Sequence, residues 1–189
     1  MYKKYLLFLF FLFPPLIFAD QITYTASGKK VLLKDDGTWT YFSESINKWS
    51  VNDTKDPLDD SQVIYCVLLA DSGEGTYHDP VTLVVRITRQ NNETVYEIYI
   101  NWNSYLADSN QEVFFRFDDG EALKEDSLKS TNSKATFFRN PKDIIQKLVN
   151  SSRFVARTTP YSESPITAVF DVSGLKEILA KYPIKLPES

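Results

Sequence analysis

The chain has 189 residues, a formal net charge of −4, one histidine and one cysteine. A single thiol excludes an internal disulfide, and an acidic balance lacks the basic footprint that nucleic acid or anionic lipid headgroups attract. The length suits one main domain able to bury a core of its own.

Residues 1–19 read MYKKYLLFLFFLFPPLIFA. Lys3 and Lys4 precede the apolar run Leu6 to Phe13, Pro14 and Pro15 interrupt it, and Ala19 ends the segment. This is the layout of a secretory signal peptide, too short and too broken by proline for a permanent membrane helix. Cleavage after Ala19 leaves about 170 residues and no cysteine at the cut that could carry a lipid. The expected location is periplasmic or secreted, with membrane contact only through the uncleaved leader.

Residues 20–42 predict a small β-hairpin module. Val31 to Lys34 and Trp39 to Phe42 are strand-like, and Asp36-Gly37 between them suits a tight turn. Residues 43–60 form a polar, acidic connector containing Pro57, with Trp49 as its one large apolar residue and an expected core anchor.

Residues 61–183 carry the main domain. Val63 to Ala70 is apolar almost throughout, which predicts a strand covered on both faces, and Cys66 within it reads as a core residue. Val81 to Thr88 follows a Gly-containing loop. From Thr94 to Trp102, Tyr96, Ile98, Ile100 and Trp102 share one face and Glu97 and Asn101 the other. The Asn91-Asn92 pair between these two runs predicts a hairpin. Val113 to Phe117 alternates and runs into the turn Asp118-Asp119-Gly120, and Ala135 to Phe138, Phe154 to Thr158 and Thr167 to Val172 are further strands. One helix is predicted from Asn140, with Pro141 at its first position and Ile144, Ile145, Leu148 and Val149 on one face. A second begins near Ser173, with Leu175, Ile178, Leu179 and Tyr182 at helical spacing and Pro183 as its stop. Residues 184–189 are a tail. Strands first and helices late predict an α+β fold: a mainly antiparallel, sandwich-like sheet with two helices in the C-terminal half and the small N-terminal hairpin.

The sequence offers little catalytic chemistry. His78 lies in a polar loop, no Gly-x-Ser-x-Gly elbow is present, and one histidine with one cysteine does not make a zinc site. The carboxylate clusters Asp53, Asp56, Asp59, Asp60 and Asp118, Asp119, Glu121 lack the EF-hand spacing. No catalytic residue, metal or cofactor is therefore assigned. Arg86 in LVVRI and Arg116 in VFFRF stand inside otherwise apolar strands. Such an arginine needs acceptors, supplied either by a structural ion pair or by a carboxylate on a ligand or partner. Arg86, Arg116, Trp102 and Tyr99 are accordingly the binding candidates, with Tyr105 and Phe114 as further flanking aromatics.

Segments from Trp49 to Tyr182 carry a resemblance: DPLDDSQVIY, LVVRI, VYEIYINWNSYL, VFFRFDDG, STNSKATFF and RFVARTTPYSESPITAVFDVSGL. Their order and spacing are similar to the VasI-like periplasmic accessory proteins of bacterial type VI secretion clusters. The matching signature is Trp49, Asp59, Asp60, Arg86, Trp102, Arg116, Phe170 and Gly174. That family commonly has a cysteine just after the strand arginine, where this chain has Ile87, and another near the C-terminus, where KYPIKLPES has none. The hairpin module is an addition to the plain family domain. The resemblance implies an exported, non-enzymatic accessory domain of the cell envelope whose partner is another envelope protein, with a link to type VI secretion. The residues alone leave open a small-ligand or glycan-binding module, assisted by calcium, and less favourably a hydrolase.

Overall fold

The structure, a computed structural model, describes residues 21–25, 30–33, 37–41, 48–76, 78–91, 93–107, 111–182, 184 and 186. The leader, the Asp35-Asp36 part of the hairpin turn, the start of the connector and most of the tail lie outside them. The chain divides into two compact units, Met1–Phe42 and Ser43–Ser189. Among the described residues, no helix is long and apolar enough to cross a membrane.

The first unit is a three-stranded antiparallel meander of β1 (Gln21–Tyr24), β2 (Lys30–Leu33) and β3 (Trp39–Tyr41). The hairpin of β2 and β3 pairs Val31 with Tyr41 and Leu33 with Trp39. β1 adds a strand that the sequence reading did not contain, pairing Ile22 with Leu32 and Thr23 with Val31.

The second unit is built from β4 (Trp49–Lys55), β5 (Gln62–Glu74), β6 (Pro80–Gln90), β7 (Glu93–Asn101), β8 (Gln111–Phe117), β9 (Leu123–Lys129), β10 (Ala135–Phe137), α1 (Pro141–Val149), β11 (Arg153–Thr158), β12 (Ile166–Asp171) and α2 (Leu175–Leu179). Every strand pairing is antiparallel. The order β5-β6-β7-β10-β9-β8-β11-β12 returns to β5, which closes an eight-stranded barrel with β4 as an extra strand. The sandwich-like expectation thus resolves into a closed sheet. An eight-stranded barrel is just narrow enough for its own side chains to fill, and Ile64, Cys66, Leu83, Ile98, Trp102, Phe154 and Phe170 do so, all at most 1% exposed. Phe154 lies with Phe115, Phe117, Phe138 and Phe170 at ring separations of 5.0–6.2 Å. The buried faces of α1 (Ile144, Ile145, Leu148) and α2 (Leu175, Ile178, Leu179) belong to the same core.

The seam explains the length of β5. Its first half pairs with β4 from Gln62 to Leu68. A register irregularity follows between Leu69 and Glu74, and within it Ser72 pairs with Val169 of β12. Gly73 sits at this crossing with φ +109°, and a Cβ there would lie 2.7 Å from the Thr167 carbonyl oxygen and 2.8 Å from the Ala168 Cα. Only glycine combines that backbone angle with that approach. Polar bonds pin the same place. Lys48 Nζ lies 2.9 Å from Asp71 and 3.4 Å from Asp171, the Asp171 N–H donates to Asp71 at 3.0 Å, and Trp49 Nε1 donates to the Ser173 carbonyl at 3.2 Å.

Two strands fall where the sequence shows no strand pattern. β4 lies in the segment read as a connector, and only Trp49 of its seven residues is buried. β9, LKEDSLK, buries only Ser127. Both are held by backbone pairing with apolar neighbours, so neither needs an alternating apolar face.

Candidate functional site

Alternation along each barrel strand sends one set of side chains into the core and leaves the other on the outer wall. The four binding candidates separate on this basis. Trp102 points inward, fully buried, and donates from Nε1 to Thr136 Oγ1 at 2.9 Å. It is a core residue, out of reach of a ligand on the wall.

Arg86 and Tyr99 come together on the wall formed by β5, β6 and β7. The register places Arg86 between Tyr65 and Glu97. The guanidinium bonds Glu97 through both Nε and Nη2. Its partial burial works against the charge, but the bonds to Glu97 and Tyr65 outweigh this and hold its pKa above the usual arginine value. Burial pushes the Tyr99 hydroxyl up, with Arg86 pulling the other way. Tyr99 packs on Phe137 with ring centroids 4.7 Å apart. Val67, Val84, Tyr99, Phe137 and Leu128 are successive register partners, making an apolar row across five strands. Arg86 is therefore satisfied from within the fold.

Arg116 has a different environment. It lies on the outer wall of β8, opposite Val155 of β11, which in turn faces Val169 of β12. Here the surface forms a groove of about 670 Å³. Its floor holds Val155 and Val169, and its flanks hold Phe114, Arg116, Arg153 and Arg157. Phe114 is 43% exposed. Arg157 Nε donates to Thr167 Oγ1 at 2.8 Å, which orients the guanidinium. Among the described residues, no carboxylate forms an ion pair with any of the three arginines. The neighbouring acids are engaged elsewhere. Asp118 accepts the backbone N–H groups of Ser152 and Arg153 at 2.9 Å, Glu112 pairs with Lys124, and Asp171 holds Lys48 and the Ser173 N–H. Glu163 accepts from Thr76 Oγ1 at 2.7 Å. Sequence reading found Arg116 but missed Arg153 and Arg157, which lie on exposed strand positions that ordinarily carry solvated charge.

The remaining polar candidates serve turns. Asp56 accepts the Leu58 N–H, Asp59 accepts the Ser61 N–H, and Asp60 pairs with Lys55 at 2.7 Å. The Ser61 N–H holds the Asp59 carboxyl below its ordinary pKa. Asp53 bonds Gln62. Among the described residues, no group of three or more His, Cys, Asp or Glu side chains could hold a metal. His78 stands 89% exposed with Nδ1 3.0 Å from Glu74. Burial pushes the Cys66 thiol up to about 12, so it is not a nucleophile near neutral pH.

Fold and surface together define a closed antiparallel β-barrel with a solid interior and an arginine-lined groove on its outer wall. No family model and no curated protein matches the chain. Among solved structures, it is similar to invasion associated protein B from Bartonella henselae, with a TM-score of 0.50 and 13% identity over 71% of this chain and 90% of that one. At that identity the similarity concerns the fold alone.

Proposed function

We propose that this is an exported, non-enzymatic accessory protein of the bacterial cell envelope that acts by binding another protein on the outer wall of its barrel. The observation that carries the reading is the groove at Arg116. Three guanidinium groups that form no ion pair with a carboxylate among the described residues flank an apolar floor, on a chain whose net charge is negative. Uncompensated cations beside apolar surface are what an incoming anionic group would satisfy. The packed interior supports the same reading, since it directs binding to the outside. The signal-like leader and the resemblance to VasI-like proteins support an envelope setting, with type VI secretion the first system to test.

A photo-crosslinking residue placed at Phe114 in the intact host tests the reading. The expected result is a reproducible adduct with one envelope protein, absent when the same residue replaces the 94% exposed Leu58. No adduct from Phe114, together with normal secretion in a deletion strain, would refute it. The concavity of the same groove favours a second reading, a module for a small ligand or glycan. That reading requires cell-wall fragments to raise the melting temperature, since a ligand of the native state must do so.

A further inference from the structure

The groove has a length and a direction, and these specify its occupant more closely than charge alone. Arg153 and Arg157 are four residues apart on β11, which places their Cα atoms about 13 Å apart along the strand. Arg116 lies opposite Val155, midway between them on the adjacent strand. The cations are thus set out at steps of about two residues, or roughly 6.7 Å, the period at which an extended chain repeats a side chain on one face. A compact oxyanion would instead call for guanidinium groups rooted around a single point. The barrel is closed at β8, β11 and β12, each of which pairs on both edges. A segment lying there cannot add as a strand and must be held by side chains. Arginine forks suit planar carboxylates, two parallel bonds to each. The strip between the arginines is apolar, with Val155 and Val169 below and Pro165 at the margin, so the carbon stems of the acidic side chains can seat against it.

We propose that this groove receives an extended acidic segment of the partner protein, with carboxylates at alternate positions bound by Arg153, Arg116 and Arg157. The inference rests on the protein-binding reading above and adds the chemistry of what is bound. A flat anionic membrane is a poorer match, because Asp118, Asp171 and Glu112 border the same wall and would be pressed against the headgroups.

The test is fluorescence anisotropy of a labelled peptide, Ser-Glu-Ser-Glu-Ser-Glu-Ser, titrated with the purified protein, with the Lys counterpart of the peptide as control. Saturable binding of the Glu peptide alone is expected, weakening as salt rises. Arg116→Gln and Arg157→Gln should each weaken it about tenfold, and Arg116→Lys should also weaken it, because the charge remains but the fork is lost. Circular dichroism and melting should match the parent protein, since both side chains lie on the outer wall. Failure of the Glu peptide to bind, or binding indifferent to these variants, overturns the inference. Equal competition by inorganic phosphate would make the groove a compact anion site, and variant-sensitive binding to phosphatidylserine vesicles instead of the peptide would make it a lipid site; either result also overturns it. The two readings fail separately. A Phe114 adduct in cells without peptide binding leaves the protein-binding reading standing and removes this one. Peptide binding without an adduct, together with normal secretion in a deletion strain, removes the envelope-partner reading and leaves only the preference of the groove for an extended acidic chain.

Discussion

Replacing Gly73 with alanine perturbs the barrel at the point where it closes. Two costs coincide there. The backbone angle of +109° lies where L side chains are strained, at about 1–3 kcal/mol. The added Cβ would sit 2.7 Å from one backbone atom and 2.8 Å from another. Neither neighbour is the end of a flexible side chain, so β5 and β12 must separate, and overpacking of that kind costs about 1–3 kcal/mol. Together these give about 2–6 kcal/mol, a large share of the roughly 5–15 kcal/mol that holds a domain folded. Two other glycines calibrate the measurement. A Cβ on Gly75 would meet the Trp102 carbonyl oxygen at 2.5 Å without a positive φ, and one on Gly120 would meet only the Phe117 carbonyl oxygen at 3.0 Å. Urea unfolding followed by tryptophan fluorescence should rank the losses Gly73→Ala, then Gly75→Ala, then Gly120→Ala. A Gly73→Ala loss under about 1 kcal/mol, or one no larger than that of Gly120→Ala, would show that the seam does not depend on this close crossing.

Other perturbations test the core and the wall. Ser127 Oγ is buried without a hydrogen-bond partner among the described residues, so Ser127→Ala should leave stability unchanged or raise it, whereas Thr136→Val should cost about 1–3 kcal/mol by orphaning the Trp102 N–H; parallel urea titrations compare them. Removing Glu97 alone, as Glu97→Leu, should destabilise more than the double change Arg86→Met with Glu97→Leu, because the single change strands a half-buried cation; a double-mutant cycle reads the coupling. The Cys66 thiol is raised from its reference value of 9.0 to about 12. The unfolded chain therefore loses this proton first, so the contribution is fully present below about pH 9 and is lost as pH rises towards 12. Stability measured from pH 8 to pH 11 should fall accordingly, Cys66→Ala should flatten that slope, and thiol reagents should label the native protein only as fast as it opens.

Much of the barrel is written in local patterns. Tyr96, Ile98, Ile100 and Trp102 alternate and all turn inward. Asn91, with φ +48°, makes the turn that sets Gln90 opposite Glu93. α1 runs from Pro141 with its three buried residues at helical spacing. β4 and β9 were not legible, because their sequences are polar and their conformation comes from a neighbour's unpaired edge. Closure was not legible either, since it depends on β5 changing partners at Gly73 and meeting a strand about a hundred residues away. The resemblance signature is similarly structural in large part. Trp49 bonds across the seam, Asp59 closes a turn, Trp102 fills the core, and Gly174 adopts φ +86° ahead of α2.

Arg86 and Arg116 show where sequence reading of a site stops. Both are arginines on the polar side of an apolar strand, and their local sequences do not tell them apart. The partner of Arg86 could have been deduced. A two-residue turn after Gln90 folds β6 onto β7 and carries Glu97, eleven residues on, directly across from it. Nothing comparable is available for Arg116. The residues around it arrive from β11 and β12 through pairings that close long loops, and they bring Val155 and Val169 into line with it, with two further cations on β11 and Asp171 across from Arg153. An arginine with an acid across its own hairpin is accounted for by folding. The neighbours of Arg116 are chosen by tertiary closure instead, and among the described residues none of them forms an ion pair with it.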